Sequence, residues 1–196
     1  MQVLLALWLS TVFSTHALAN PQWRVFLEPS FMRPAVSESI PGAQRTRLTG
    51  GLWTGDALQG FTSREWADLH MDWVSFQKAA AVSAQADWKL IRTRHDRDKR
   101  KVIRFIELRS DEPLVASAVL GPELEQRFGG ILGTPLLVAV PNRYQAFLFA
   151  KLAAPPPVQF TREILEAYRA TAYPVSVELF EVLDGRWKAV GIFEAP

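Results

Sequence analysis

The residues of this 196-residue chain whose types and spacing best suggest chemistry are two aspartates and a histidine at alternating positions. Asp68, His70 and Asp72 carry the oxygen and nitrogen ligands that zinc and similar ions accept. The surrounding sequence predicts a helix, which turns by about 100° per residue, so His70 would point about 200° away from Asp68. We therefore predict a polar helix face here and no metal site.

Other patterns that would support catalysis are weak or missing from the sequence. His95 and Asp96 are neighbours in a predicted turn, where a histidine titrates near neutral pH but is usually idle. The chain has no Cys, which excludes thiolate nucleophiles and Cys-ligated zinc. It also lacks a nucleophile elbow, a Ser-x-x-Lys pair, a phosphate-binding loop and a dinucleotide fingerprint. We predict no catalytic residue, no metal and no cofactor, which favours a protein that is not an enzyme.

A polar pair between two apolar stretches is the best single candidate for ligand binding. Asn142 and Arg143 follow one apolar strand and precede another, so the turn between them would present a guanidinium to an anion. The alternative is ordinary turn chemistry, because Asn after Pro is common in turns.

The placement of charge between Trp88 and Arg109 is the strongest anomaly. Nine basic residues stand there against three acidic ones, although the whole chain carries a net charge of only +2. We predict a basic hairpin that binds a partner protein or an anionic envelope surface. The candidate contact residues, including the polar pair above, are Arg94, Arg97, Lys99, Arg100, Lys101, Asn142 and Arg143.

An alternative interpretation of the same hairpin is structural. Its charges would keep the edge of a sheet from pairing with another chain. In either case we expect no sequence-specific nucleic-acid binding, because no aromatic residues interleave the basic ones at the hairpin tip.

The first residues of the chain have the pattern of a secretory signal peptide. The apolar run Val3–Phe13 is too short for a bilayer span, which needs about 20 residues, and Ala17-Leu18-Ala19 fits a cleavage site. We predict a signal peptide over residues 1–19, a periplasmic or secreted bacterial protein, and no transmembrane segment in the mature chain. The alternative is a buried helix or strand at the start of the chain.

The remaining sequence predicts the elements that position these residues. Thr62 and Glu65 form a capping box, and apolar residues at helical spacing carry the helix to about Ala84. Trp88–Arg94 and Lys101–Arg109 would be the strands of the basic hairpin. Further predicted elements are a strand at 23–27, helices beginning at Pro122 and Thr161, strands at 136–140 and 144–152, and a hairpin of 175–183 with 186–193 around Asp184-Gly185.

Together these elements predict a single α+β domain, with an antiparallel sheet built from hairpins and three helices packed mainly on one face. We assign residues 61–196 to this domain and predict that residues 20–60 are a short strand followed by a long irregular segment, because prolines and glycines punctuate it. A hydrolase with a pocket under the 28–60 loop is the alternative function.

Three blocks in the C-terminal two-thirds of the chain resemble a bacterial family of unknown function, the YtpQ-like proteins. They are Leu114–Leu124 (LVASAVLGPEL), Gly133–Phe149 (GTPLLVAVPNRYQAFLF) and Tyr168–Val182 (YRATAYPVSVELFEV). The resemblance implies a single α+β domain, and it implies no activity and no site residues.

Overall fold

The strands of the computed structural model, which describes residues 22–152 and 157–194, divide between two antiparallel sheets. The strands are β1 (Trp23–Pro29), β2 (Ser37–Ser39), β3 (Thr46–Trp53), β4 (Leu58–Gly60), β5 (Arg92–Arg97), β6 (Ile103–Arg109), β7 (Leu136–Asn142), β8 (Gln145–Ala150), β9 (Glu178–Leu183) and β10 (Arg186–Ile192). The helices are α1 (Ser63–Asp68), α2 (Trp73–Ala84), α3 (Val115–Ala118), α4 (Glu123–Leu132) and α5 (Thr161–Arg169). Shorter 3₁₀ turns are Ser30–Met32, Gln85–Leu90 and Pro157–Phe160.

The smaller sheet is built around β3, which pairs with β1 along one edge and with β2 and β4 along the other. The prediction of a long irregular segment within residues 20–60 is therefore wrong. Its glycines serve close packing inside a strand: a Cβ atom on Gly51 would lie 2.0 Å from the Gln59 carbonyl oxygen, and one on Gly50 would lie 3.1 Å from the Phe76 ring.

The larger sheet has the strand order β10-β9-β7-β8-β6-β5. Its central strand β7 is buried at every position, and successive side chains of a strand point to opposite faces. Leu136 and Val138 pack on the side of α3, α4 and β1. Leu137 and Ala139 pack on the opposite side, together with residues of α5. Both faces of this sheet are therefore covered, which explains the continuous apolar runs in the sequence.

The predicted fold class is confirmed, since the chain is one α+β domain with antiparallel sheets and three helices of seven or more residues. The hairpin around Asp184-Gly185 is also confirmed. Both turn residues have positive φ, 51° and 70°, as a two-residue turn between right-twisted strands requires.

The long helix predicted from Thr62 to Ala84 is two helices. Its start is as expected, because Thr62 and Glu65 form the capping box in both directions. The helix ends at Asp68, His70 takes a positive φ of 49°, and Asp72 caps the second helix by accepting from Ser75 N–H at 2.8 Å. Asp68, His70 and Asp72 thus lie at a break between helices and not on one helix.

The strand predicted at 88–94 begins later, at Arg92. Trp88 instead lies in the 3₁₀ turn Gln85–Leu90, where it is buried against the larger core. The preceding residue, Asp87, is also buried and pairs with Arg24 of β1. The predicted signal peptide and its cleavage site lie outside the described residues.

Candidate anionic-surface site

The hairpin of β5 and β6 stands at one edge of the larger sheet, where β5 is the last strand. Its turn is held by Asp98. The Asp98 carboxylate accepts from the backbone N–H groups of Arg100 and Val102, each at 2.8 Å, and the two backbone bonds between Asp98 and residues Lys101 and Val102 close the turn. The turn is therefore fixed by one aspartate and the backbone.

Most basic residues along the two strands have acidic partners. Arg92 contacts Asp111 at 2.6 Å, and Arg104 contacts Asp96. The buried Glu107 carboxylate receives two guanidinium groups, Arg94 at 2.6 Å and Arg109 at 2.9 Å, and also the Gln145 amide. Arg94, predicted as a contact residue, is thus engaged by the sheet beneath it, and its guanidinium lies over the Phe105 ring.

The remaining basic residues gather at the turn, and we call them the basic tip: Arg97, Lys99, Arg100 and Lys101. All four are exposed, and within the described ranges none has a carboxylate at ion-pair distance. Among these side chains, the Arg97 guanidinium donates a hydrogen bond to the Lys101 carbonyl, at 2.9 Å. The positive excess of the hairpin is therefore concentrated at its free end.

The predicted turn pair His95 and Asp96 lies inside strand β5. His95 is exposed, and the Asp96 carboxylate is taken by Arg104. Charged side chains on an exposed edge strand discourage pairing with another chain. β5 is such an edge strand and the basic tip lies beyond it, so both interpretations of the hairpin stay predictions.

Arg143 is buried at the opposite end of the sheet from the basic tip, since the β7–β8 turn adjoins Arg109 in the strand register. Its guanidinium donates to Glu28 at 2.6 Å and to the Leu58 carbonyl at 2.8 Å. The rings of Phe26 and Tyr173 lie 5.3 Å from it.

The Glu28 carboxyl that meets Arg143 comes from β1, in the smaller sheet. Burial raises the pKa of Glu28 above its ordinary value, although the Arg143 guanidinium acts in the opposite direction. The guanidinium is therefore engaged in joining β1 and β4 to the β7–β8 turn. This role could not be predicted from the sequence, because both hydrogen-bond partners of Arg143, Glu28 and Leu58, lie in the segment predicted to be irregular.

Asn142 is also buried, and its side chain makes hydrogen bonds to backbone groups. Its amide donates to the Ala167 carbonyl at 2.8 Å, and its side-chain oxygen accepts from Tyr144 N–H at 2.9 Å. Of the seven predicted contact residues, the structure thus brings Arg97, Lys99, Arg100 and Lys101 together at one exposed turn. It places Asn142 and Arg143 inside the protein.

A cavity of about 380 Å³ does lie beneath part of the 28–60 segment, between β2, β3, α2 and the β9–β10 turn. The ionisable residues that line it are Glu38 and Arg186, both exposed. In the part of the chain that the structure describes, no three His, Cys, Asp or Glu residues are placed to hold a metal ion. The hydrolase alternative stays a prediction.

Comparison of the chain with protein-family models, with curated proteins and with solved structures finds no match. The resemblance to the YtpQ-like proteins therefore stays a prediction as well. None of the helices in the described residues is long and apolar enough to cross a membrane.

Proposed function

We propose that the protein binds an anionic surface of the bacterial envelope through the basic tip. The observation that carries the proposal is the division of charge within the hairpin. Arg92, Arg94, Arg104 and Arg109 along the strands are paired with carboxylates, whereas the basic tip is exposed and has no carboxylate partner in the part of the chain that the structure describes. Exposed cations at the end of an edge hairpin are accessible to a negatively charged surface.

The expected strength follows from the number of charges. A Lys or Arg near an anionic membrane is worth about 1 kcal/mol, and its attraction falls off within roughly 8 Å at physiological salt. The four charges of the basic tip would therefore supply about 4 kcal/mol, which is a weak and salt-sensitive attachment.

The cellular setting is part of the proposal. The apolar run and the small-residue site at the start of the sequence support export to the periplasm or the cell exterior. Anionic lipid headgroups and lipopolysaccharide phosphates are the surfaces that such a protein meets. An acidic partner protein would satisfy the same four cations.

Vesicle binding tests the proposal. Vesicles of phosphatidylcholine with phosphatidylglycerol should bind the protein at low salt, and vesicles of phosphatidylcholine alone should not. The triple variant Lys99→Gln/Arg100→Gln/Lys101→Gln removes three charges without touching Asp98, so at low salt its affinity should fall about 100-fold. High salt should abolish the difference between the two proteins.

The matched control removes three exposed lysines elsewhere, as Lys78→Gln/Lys89→Gln/Lys188→Gln. This control lowers the net charge by the same three units as the basic-tip variant. If the position of the charges matters, the control should weaken vesicle binding by much less than the basic-tip variant does. Equal losses in the two triple variants would show that net charge alone drives binding, and absence of binding by the unaltered protein would exclude a lipid surface. Both results count against the proposal.

A further inference from the structure

The cavity beneath β2 and β3 has the size and lining of a small-molecule site. Its volume of about 380 Å³ falls within the range of ligand pockets, roughly 300–1,000 Å³. Four residues of α2 line it, the small Ala80, Ala81 and Ala84 together with Gln77. Ile40 and Trp187 are large apolar residues of the same lining. The small alanine side chains leave the space, and the large apolar residues give a ligand a surface to contact.

Ser117 is among the residues that line this cavity, and its buried hydroxyl has no hydrogen-bond partner among the described residues. Ser117, in α3, is 2% exposed, and no protein group within the described residues lies at hydrogen-bond distance from its Oγ. Buried polar groups are nearly always hydrogen-bonded, and leaving one unpaired costs free energy. The lining therefore includes one buried hydroxyl without a partner, in addition to the polar side chains of Ser39 and Gln77.

The charges at the cavity restrict the ligand further. Glu38 and Arg186 have opposite charges and both are exposed, so the opening has no net charge. The other lining residues are not ionisable. A charged ligand would lose its hydration inside and would meet a side chain of its own sign as well as one of the opposite sign, so the lining favours an uncharged ligand.

We propose that this cavity binds a small uncharged apolar molecule with one hydrogen-bonding group, which pairs with Ser117. The site is separate from the basic tip, and neither proposal depends on the other. An aromatic amine, an alcohol or a ketone with an apolar body has the required chemistry.

The probe for this site is N-phenyl-1-naphthylamine, a neutral dye with a single N–H whose fluorescence rises in apolar surroundings. The unaltered protein should bind one dye molecule saturably.

Ala81→Leu fills the cavity and should weaken binding of the dye at least tenfold. Ala79→Leu makes the same change on the same helix at a residue that does not line the cavity, and its affinity should stay within twofold. Ala84→Val is a second filling variant in case Ala81→Leu does not fold.

Ser117→Ala tests the hydrogen bond separately. It should fold at least as stably as the unaltered protein, because an unpartnered hydroxyl is removed, and it should bind the dye about threefold to tenfold more weakly. Naphthalene, which has no hydrogen-bonding group, should compete equally in both proteins. Absence of saturable binding, or equal losses in Ala81→Leu and Ala79→Leu, would overturn the site. Unchanged dye affinity in Ser117→Ala would overturn the role of the hydroxyl.

Discussion

The Arg143 guanidinium lies over the rings of Phe26 and Tyr173 and pairs with Glu28, so a side chain that could bind an anion instead makes contacts inside the protein. Its side chain is 11% exposed and that of Glu28 is 9% exposed. Removing one partner of a buried pair leaves the other charge uncompensated, which is far more costly than losing a pair at the surface.

Arg143→Met should therefore lower the free energy of unfolding by about 3–5 kcal/mol in urea denaturation. The exposed pair of Arg92 and Asp111 provides the control, and Arg92→Met should cost less than about 1 kcal/mol. The double variant Arg143→Met/Glu28→Leu removes both charges and should recover a large part of the loss. Equal costs for Arg143→Met and Arg92→Met would contradict the structural role of Arg143.

At the scale of elements, the start of α2 depends on an ionised carboxyl group. Hydrogen bonds from the backbone N–H and the hydroxyl of Ser75 hold the pKa of Asp72 below its ordinary value. A carboxyl whose pKa is lower in the folded state stabilises the fold at pH values above its ordinary pKa, about 3.9 for aspartate. That contribution is lost as the pH falls through the folded-state pKa.

Asp72→Asn should make the stability of the protein less dependent on acid pH, because asparagine caps a helix about as well as aspartate but does not titrate. Thermal unfolding is followed between about pH 5 and pH 2, and the melting temperature of the unaltered protein should fall more steeply than that of the variant. Asp68→Asn removes the same charge from an exposed residue that caps no helix start, so it should follow the unaltered protein. A steep fall in Asp72→Asn would show that other groups control the acid response.

Elements set by local chemistry could be predicted from the sequence, and elements set by distant partners could not. The capping box at Thr62 and the turn at Asp184-Gly185 involve residues within a few positions of each other. The break after Asp68 was missed because Trp66 and Trp73 pack in one aromatic cluster on either side of it. The helical spacing of the buried residues thus continues although the helix does not.

The candidate site, too, could be predicted only in part. The excess of positive charge identified the hairpin. The sequence could not show which of its arginines have a carboxylate partner within the described residues and which do not. That distinction depends on the strand register, which places Arg94 opposite Glu107. The cavity residues gave no signal, since Ser117 and the alanines of α2 come together only when the two sheets pack.

At the scale of the whole molecule, the two sheets are joined by buried polar contacts as well as by a shared core. Leu27 of β1 lies in the core of the larger sheet. Arg24 of β1 meets Asp87 through two hydrogen bonds of 2.8 and 2.9 Å, and Thr46 of β3 meets Ser176 at 2.6 Å. Such contacts make independent unfolding of the smaller sheet unfavourable.

We therefore expect one cooperative unfolding transition. Tryptophan fluorescence and far-ultraviolet circular dichroism should give the same urea midpoint. Asp87→Ala should lower the free energy of unfolding by about 3–5 kcal/mol and move both midpoints together. Asp111→Ala removes the acidic partner of an exposed ion pair, so it should shift neither the fluorescence midpoint nor the dichroism midpoint by much. A fluorescence midpoint well below the dichroism midpoint would indicate that the smaller sheet unfolds first.

Because Asp98 closes the β5–β6 turn through backbone N–H groups, the structure of this turn limits substitutions at some positions and permits them at others. Because the turn needs that carboxylate and the backbone, the charged side chains of Lys99 and Arg100 can vary without altering its shape, whereas Lys101, at a φ of 64°, tolerates fewer replacements. Under the proposed function, surface binding and foldability are then separable traits, and natural variants that differ only at Lys99 and Arg100 would share one structure and differ in the surfaces they bind. The same short loop grafted onto an unrelated hairpin would then carry the proposed binding with it.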